Sequence, residues 1–547
     1  MDSIIECVPN FSEGRRPEII RQITDVIEAV PGVRLLNVDP GRATNRTVVT
    51  FVGSPDAVVE AAFQAIKRAG EVIDMRDHKG EHPRMGATDV CPLIPIAGIT
   101  MEETAEWARR LALRAGTELQ LPVYLYEAAQ ADKRRSNLST IRAGEYEGFF
   151  KKIKLPEWKP DYGPDEFDSR RGATVIGARD FLVAYNVNLN TTSTRRANAI
   201  AFDVREAGRT LPDGGNRPGT LKAVKAIGWY IEEYGIAQIS MNLTNIRVTP
   251  VHIAFDEVCR AAQARGIRVT GSELVGLIPL QAMLDAGRYF LEKQQRSTGV
   301  SEKELIRIAI LSMGLDDVSP FVPEERIIEY LLRDRTGDRL VKMPLCDFAD
   351  ETASESPAPG GGSIAAYVGA LGAALGTMVA NLSSHKKGWD ERWAEFSAWA
   401  QKGQGYKDEL LRLVDADTRA FNAIMAAFGM AKGTPDEKVA RQRAIQEATR
   451  TAIEVPLRVM EVASASLEVI RAMAESGNPN SVSDAGVGAL CVRAAVMGAF
   501  LNVKINAGGY ADKAFVTNIL ARGEELAGAT SRAEEAILGI VNSKISG

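Results

Sequence analysis

The strongest constraint on this chain is a change of texture part-way along it. Strand-like and helix-like patterns alternate over the first ~290 residues, and strand signals almost vanish after Pro344. Such a chain folds as α/β units followed by an all-α bundle, and its 547 residues exceed what one ordinary core holds. Strands are expected at 4–8, 33–38 and 46–52, and helices at 17–30 and 55–69, each helix with a proline near its start. A second α/β unit is expected from about Thr174, with strands at 174–176, 181–189, 238–243 and 267–269 and a helix at 250–265. The stretch 156–172 reads as a linker or loop, and 301–345 as a polar connector with short helices. Ala-rich helices are expected at 363–382, 389–429, 436–475, 484–507 and 511–541. The expected division is therefore two α/β subdomains with mixed sheets, 1–176 and 177–298, a linker 299–343, and an all-α domain 344–547.

Residues 356–384 carry no charge, which raises the question of a membrane span. The stretch is mostly Ala and Gly, is interrupted by Ser363, Thr377 and Asn381, and has thin aromatic flanks. A helix buried in a bundle or a subunit interface is the expected reading. A formal charge of −5, with no basic run, gives no reason to expect nucleic acid as a partner. Five scattered cysteines without a CxxC pair suit a reducing compartment rather than a disulfide framework or zinc site. The acidic N-terminus lacks an apolar export segment, so a cytoplasmic location is expected.

Two of the four histidines fall in Asp77-His78-Lys79-Gly80-Glu81-His82-Pro83-Arg84-Met85-Gly86. A loop carrying His beside Arg and carboxylates suits acid/base work near neutral pH, with glycines 80 and 86 letting backbone approach a ligand. A metal held by His78 and His82 would need a helix, which Gly80 and Pro83 oppose. In Asp39-Pro40-Gly41-Arg42-Ala43-Thr44-Asn45-Arg46, Arg42 or Arg46 can hold a carboxylate; a plain turn explains the segment equally well. Gly163, Pro164, Arg170, Arg171 and Gly172 can bind an anionic tail or simply form a linker, and Asn186 and Asn188 end an apolar strand with amides. In the helical part, Gly361, Gly362 and Ser363 open a helix whose N–H groups can hold an anion; close helix packing is the alternative. Helical spacing sets Asp417 on an inward stripe with Leu410, Val414, Phe421 and Ile424 and turns Asp415 elsewhere. An inward carboxyl is an acid/base candidate or half of an internal salt bridge. Asn480 and Asp484 lie in a segment whose default role is a helix cap.

These segments together resemble the formimidoyltransferase-cyclodeaminase family. Val8-Pro9-Asn10-Phe11-Ser12-Glu13-Gly14 looks like the family's opening, and the Asp77–Gly86 segment like its transferase active site. Gly177-Ala178-Arg179-Asp180-Phe181-Leu182 and Gly271-Ser272-Glu273-Leu274-Val275-Gly276-Leu277-Ile278-Pro279 resemble its second subdomain. Pro359-Gly360-Gly361-Gly362-Ser363 and Asn480-Ser481-Val482-Ser483-Asp484 resemble its cyclodeaminase domain. The resemblance implies a bifunctional folate enzyme of histidine breakdown. It would move a formimino group from N-formimino-L-glutamate to tetrahydrofolate, then close the ring to 5,10-methenyltetrahydrofolate with loss of ammonia. It implies His82 as the transferase acid/base, a cyclodeaminase carboxylate in the Asp417 segment, and folate contacts along 163–172, where this sequence is more charged than the family pattern. Arg84, Asp39 and the asparagines would serve substrate. Tetrahydrofolate enters as co-substrate, polyglutamylated forms included, without metal or nicotinamide cofactor, and a homo-oligomer formed through the helical domain is expected. Alternatives are a transferase whose helical domain serves only oligomerisation, or a methenyltetrahydrofolate cyclohydrolase in the helical half.

Overall fold

A computed structural model describes residues 3–42, 44–80, 83–332 and 340–546. It divides into two compact units, Met1–Ala282 with Met313–Leu331, and Met283–Ser312 with Leu332–Gly547. The expected separate linker at 299–343 is thus not one piece. Its sequence looked polar because only one side of each short helix is buried.

The first unit opens with strands β1 (Ile4–Cys7) and β2 (Asn10–Phe11), helix α1 (Pro17–Glu28), β3 (Val33–Gly41), β4 (Arg46–Gly53), α2 (Pro55–Val72), β5 (Thr88–Ala97), α3 (Met101–Glu118), β6 (Val123–Glu127), α4 (Leu138–Arg142), α5 (Glu145–Lys152) and β7 (Thr174–Ala178). β1 and β2 act as two halves of one strand, each antiparallel to β4 on one side and β5 on the other. Pro9, with no N–H to donate, sits at the break. β7 runs parallel between β5 and β6, so the sheet is mixed. One face packs Ile5, Phe51 and Leu93 against apolar stripes of α1, α2 and α3. The other packs Tyr124 and Val175 against Ile141 and Phe149 of α4 and α5. The expected boundary between 176 and 177 falls inside β7, which completes the first sheet rather than starting the second. A short buried strand reads the same whichever sheet it joins.

The chain continues with β8 (Val183–Leu189), α6 (Thr194–Val204), a small hairpin of β9 (Arg209–Thr210) and β10 (Asn216–Arg217), β11 (Val224–Ile231), β12 (Ile236–Leu243), α7 (Val251–Gln263) and β13 (Val269–Val275). The second sheet has the antiparallel order β11-β12-β8-β13. Val183, Tyr185, Val187 and Leu189 point to its apolar face, and Asn186 and Asn188 to the other. The edge strand β11 escaped the sequence reading. Its inward positions are Val224, Ala226 and Gly228, and a Cβ at Gly228 would come 2.2 Å from the Asn198 nitrogen.

After α8 (Leu280–Lys293), α9 (Glu302–Met313), α10 (Pro323–Arg326) and α11 (Ile328–Leu332), the helical unit comprises α12 (Leu345–Ala353), α13 (Gly361–Ser384), α14 (Trp393–Gly429), α15 (Pro435–Ser476), α16 (Val482–Ala507) and α17 (Lys513–Ser546). α13 packs against α14, α15 and α16. Its uncharged composition follows from that central place. A Cβ at Gly372 would stand 2.8 Å from the Gly488 carbonyl oxygen, so small residues set the α13–α16 distance. α13 and the segment Pro479–Ala507 are long and apolar enough to cross a membrane, yet 61% and 50% of their apolar windows are buried within the unit.

Gly372→Val should destabilise the helical unit by about 2–3 kcal/mol, because neither backbone can retreat. Gly405→Ala, whose Cβ meets nothing within 4 Å, should instead stabilise α14 by about 0.5–1 kcal/mol. Chemical denaturation reads both.

Candidate functional site

The Asp77–Gly86 segment links α2 to β5, and its residues Glu81 and His82 lie outside the described residues. His78 is buried at 8% exposure, and its Nε2 stands 2.8 Å from the Asn45 carbonyl oxygen. Arg84 Nε donates to His78 Nδ1 at 3.2 Å. A donor facing Nδ1 fixes the proton on Nε2, which then donates to Asn45. Burial lowers the imidazole's pKa against the Asn45 bond, and the Arg84 charge lowers it further, so His78 stays neutral. Both its nitrogens are engaged. Acid/base work and metal ligation at this residue are thereby displaced by a positioning role. Asn45, at φ 48°, receives the Gly14 N–H at 3.0 Å and donates to the Lys79 carbonyl at 3.0 Å.

Several expected ligand-binding residues hold protein instead. Arg84 forks onto Glu147 at 2.6 and 2.9 Å and reaches Glu145 at 3.2 Å, so its guanidinium is fully committed. A Cβ at Gly80 would come 2.1 Å from the Thr44 oxygen, and one at Gly86 2.3 Å from the Ala173 oxygen. The backbone these glycines admit is the chain's own. Arg46 is half-buried and donates to Asn10 Oδ1 at 3.0 and 2.5 Å, and desolvation brings its pKa down to about 10. Arg42 is exposed. Arg170 donates to the Glu71 carbonyl at 2.6 Å, and Arg171 to the Leu119 and Gln120 carbonyls at 2.7 and 3.1 Å. Both arginines thus satisfy the open carbonyls at the ends of α2 and α3, where a cation also suits the helix dipole. Gly163 and Gly172 take φ +84° and +72° in the same loop, and Pro164 is half-buried.

Asn186 and Asn188 belong to a hydrogen-bonded polar face of the second sheet. Asn186 donates to Glu273 at 3.1 Å, Asn188 to Asp317 at 2.8 Å, Gln238 to Asn188 at 2.8 Å and Trp229 to Gln238 at 3.1 Å. Charges of the first sheet feel this neighbourhood: Glu127 that of Lys225, and Asp39 those of Arg326 and Glu273. Burial raises Asp39, with Arg326 opposing and Glu273 adding. The sharpest group here is Glu6 of β1. It is 2% exposed, and burial pushes its carboxyl up to about 7, against Arg179 and with Glu329. Sequence reasoning passed over Glu6, although an acid inside Ile4-Ile5-Glu6-Cys7-Val8 was the available signal.

In the helical unit, Asp417 of α14 meets the first turn of α13. Its Oδ2 accepts the Ser363 hydroxyl at 2.9 Å, and the Ser363 backbone N–H also favours its charged form. The Ser363 hydroxyl lies 3.3 Å from that of Thr418. A Cβ at Gly362 would stand 2.2 Å from Asp417 Oδ1, so only glycine admits the carboxylate. Burial nevertheless raises its pKa. Among the described residues its hydrogen-bond partners are uncharged, so the internal salt bridge is not the arrangement found.

One expectation needs correction. The stripe that selected Asp417 breaks down, because Phe421 is 38% exposed, while Asp415, expected to point elsewhere, is buried and accepts the Leu340 N–H at 3.1 Å. α14 outruns the core beyond Asp417, and the partner of Asp415 comes from the connector. The structure places Asn480 and Asp484 away from Asp417. The Asn478 N–H binds the Ser383 hydroxyl at 2.8 Å, at the far end of α13 from Ser363, which is roughly 30 Å along the helix. Asn480 is exposed, and Asp484 is half-buried in the first turn of α16.

Residues 4–179 match the model of the formiminotransferase domain, N-terminal subdomain, 184–333 that of the formiminotransferase domain, and 344–525 that named formiminotransferase-cyclodeaminase. The formimidoyltransferase-cyclodeaminase of Gallus gallus is 46% identical over 94% of this chain and 95% of its own. The chain belongs to the formimidoyltransferase-cyclodeaminase family. Two further relatives each match a part of it. A glutamate formimidoyltransferase of Thermoplasma acidophilum is 44% identical over 53% of this chain and 93% of its own. A methenyltetrahydrofolate cyclohydrolase of Methylorubrum extorquens is 41% identical over 36% of this chain and 96% of its own. The Gallus gallus protein thus shares both halves of the chain.

Glu6 yields a signed prediction. Its folded pKa is raised, so the folded state holds the proton more tightly, and stability falls as pH rises from the ordinary value of 4.5 through about 7. Glu6→Gln should match wild type at pH 4 and exceed it at pH 8 by on the order of 3 kcal/mol. Thermal unfolding at both pH values checks this.

Proposed function

We propose that this protein carries out two consecutive reactions on one folate. First, N5 of tetrahydrofolate attacks the formimino carbon of N-formimino-L-glutamate, the adduct loses glutamate, and the group stays on N5. Then N10 attacks the same carbon, ammonia leaves, and 5,10-methenyltetrahydrofolate remains. The observation that carries this reading is a similarity to formimidoyltransferase-cyclodeaminases that runs through 94% of the chain, both units included.

His82 serves the first step on this reading, taking the N5 proton as the adduct forms. His78, neutral and tied at both nitrogens, anchors the start of its segment through Arg84 and Asn45. Asp417 serves the second step. A departing amine needs a proton, and a carboxyl whose pKa burial raises keeps one available closer to neutral pH than an ordinary aspartate. The overall reaction makes the enzyme a transferase and an ammonia lyase of histidine degradation, working in the cytoplasm. A homo-oligomer is favoured by α16, where Val487, Leu490, Met497, Leu501 and Ile505 form an exposed apolar stripe at helical spacing.

A second reading has one observation behind it, the 41% identity to a methenyltetrahydrofolate cyclohydrolase. In that reading the helical unit hydrolyses methenyltetrahydrofolate and releases no ammonia.

With N-formimino-L-glutamate and tetrahydrofolate supplied, glutamate, ammonia and methenyltetrahydrofolate should appear in equal amounts. Glutamate without ammonia would defeat the bifunctional reading, and consumption of added methenyltetrahydrofolate would then establish the second. His82→Ala should lose at least about a hundredfold in glutamate release, as expected for removal of an acid/base group, and keep the ammonia step on supplied formiminotetrahydrofolate. Asp417→Asn and Gly362→Ala should do the reverse. Leu501→Asp should lower the particle mass seen by light scattering; an unchanged mass would remove α16 from the interface.

A further inference from the structure

Two arginine–carboxylate pairs bolt the elbow between α4 and α5 to the end of the Asp77–Gly86 segment, and they run in opposite directions. Arg84 reaches from the segment to Glu147 and Glu145 in the first turn of α5. Arg142, the last residue of α4, reaches back to Asp89 of β5 at 2.7 Å. Asp89 is fully buried, and its other oxygen accepts the Met85 N–H at 3.0 Å. Between the two pairs, the Tyr146 N–H donates to the Arg84 carbonyl at 2.8 Å. Residues 84–89 are thus tied to residues 142–147 through both backbone and side chains.

The elbow is itself rigid. Ile141 and Phe149 pack on Tyr124 and Val175 of the sheet. Lys152 Nζ donates to the Thr140, Ile141 and Ala143 carbonyls at 2.8, 2.6 and 3.1 Å, which completes the end of α4. Gly144 takes φ 92°, and Glu145 takes φ 52°, a region that a residue with a side chain seldom adopts. Such a conformation persists where its surroundings over-determine it. Here the Glu145 carboxylate and the N–H of the next residue both meet Arg84.

Glu147 sets the direction of Arg84. The Glu147 side chain is 64% exposed, and an exposed ion pair usually contributes little. The Arg84 side chain, however, is 8% exposed and is held by a two-pronged bond, which fixes the plane of the guanidinium. The same guanidinium donates from Nε to His78 Nδ1 and from Nη2 to the His78 carbonyl, both at 3.2 Å. Arg84 therefore staples residue 78 to residue 84 across the stretch 79–83, to which His82 belongs in the sequence. A cleft of about 530 Å³, lined by Lys79, Gly80, Arg84, Gly144, Glu145 and Glu147, lies beside the staple. The elbow flanks the segment without filling that space.

We infer that Glu147 is a positioning residue of the formimino transfer: it orients Arg84, and Arg84 fixes the two ends of the stretch that carries His82. It acts through Arg84 and touches neither substrate. The inference rests on the role of His82 proposed above. The competing role for an acid in the first turn of α5 is only to complement the helix dipole.

The test uses the full chain. Glu147→Gln should lower kcat for glutamate release at least about tenfold, the scale of a misplaced catalytic group, with KM for either substrate changed less than about threefold. Glu147→Asp, which restores the charge, should recover much of the loss. Glu106→Gln breaks an ion pair on α3 whose carboxylate is equally exposed, and it should leave kcat at the wild-type value. A second readout is direct. The chain has four histidines, so selective ¹⁵N labelling resolves the His78 ring, identified by its loss in His78→Gln. In wild type its proton should sit on Nε2, and in Glu147→Gln both tautomers should appear. A dipole role alone would lower stability and leave kcat and the tautomer unchanged, and that result overturns the inference. A loss confined to KM, or an equal loss in Glu106→Gln, overturns it too. A wild-type chain that releases no glutamate defeats the proposed function instead, while the His78 signal still shows whether Glu147 holds the segment.

Discussion

A carboxylate sits on the first turn of α13 because residue 362 has no side chain. Any Cβ there would stand 2.2 Å from Asp417 Oδ1. The contact joins the opening of the unit's central helix to the point on α14 where the core ends. Up to Val414 the inward side of α14 is buried, and past Asp417 Phe421, Met425 and Phe428 are exposed. Asp417 thus marks the rim of the bundle, which is where a group must lie to be desolvated and still reach a ligand. The orphan Ser363 N–H at the helix start finds an acceptor there. That explains why a half-buried aspartate is tolerated without a cation.

The same need for partners explains where the arginines went. Arg170 and Arg171 complete the carbonyl ends of α2 and α3, Arg84 closes on Glu147, and Arg46 binds Asn10. Arginine brings several donors in a rigid fork, so an unsatisfied carbonyl pair or carboxylate nearby will capture it before a ligand does. An arginine in a glycine-rich loop is therefore weak evidence for an anion site. What decides is whether a helix ends within reach, and that is a fact of tertiary structure.

This limit separates what the sequence disclosed from what it did not. The helices of the second half were legible to within a few residues, α13 at 361–384 against an expected 363–382, because breakers such as Gly477 and Pro479 bound long Ala-rich runs. Position along one element was legible; position between elements was not. Asp415 and Asp417 differ by two residues, yet the Leu340 N–H buries one and Gly362 holds the other, and neither partner can be inferred from the period of α14. Asn480 and Ser363 looked alike as cap-region polar residues, although the length of α13 keeps them apart. β7 could not be assigned to a sheet because parallel pairing with β5 and β6 leaves no mark on its own five residues.

Glu6 and Asp417 show how one force gives two different carboxyls. Burial raises both. Glu6 is flanked by Arg179, which favours its charge, and by Glu329, which opposes it, so its protonation depends on charges that a bound anion or cation would alter. Asp417 is held by a hydroxyl and a backbone N–H, neither of which titrates near neutral pH, so its proton affinity is set by the packing of Gly362 and Ser363. The first carboxyl is therefore tunable by occupancy of its polar neighbourhood, and the second is fixed by the fold. A single chain thus holds one proton-exchanging group that responds to its surroundings and one that does not. That difference follows from where each carboxyl finds its partners: among other charges at a sheet, or at the end of a helix.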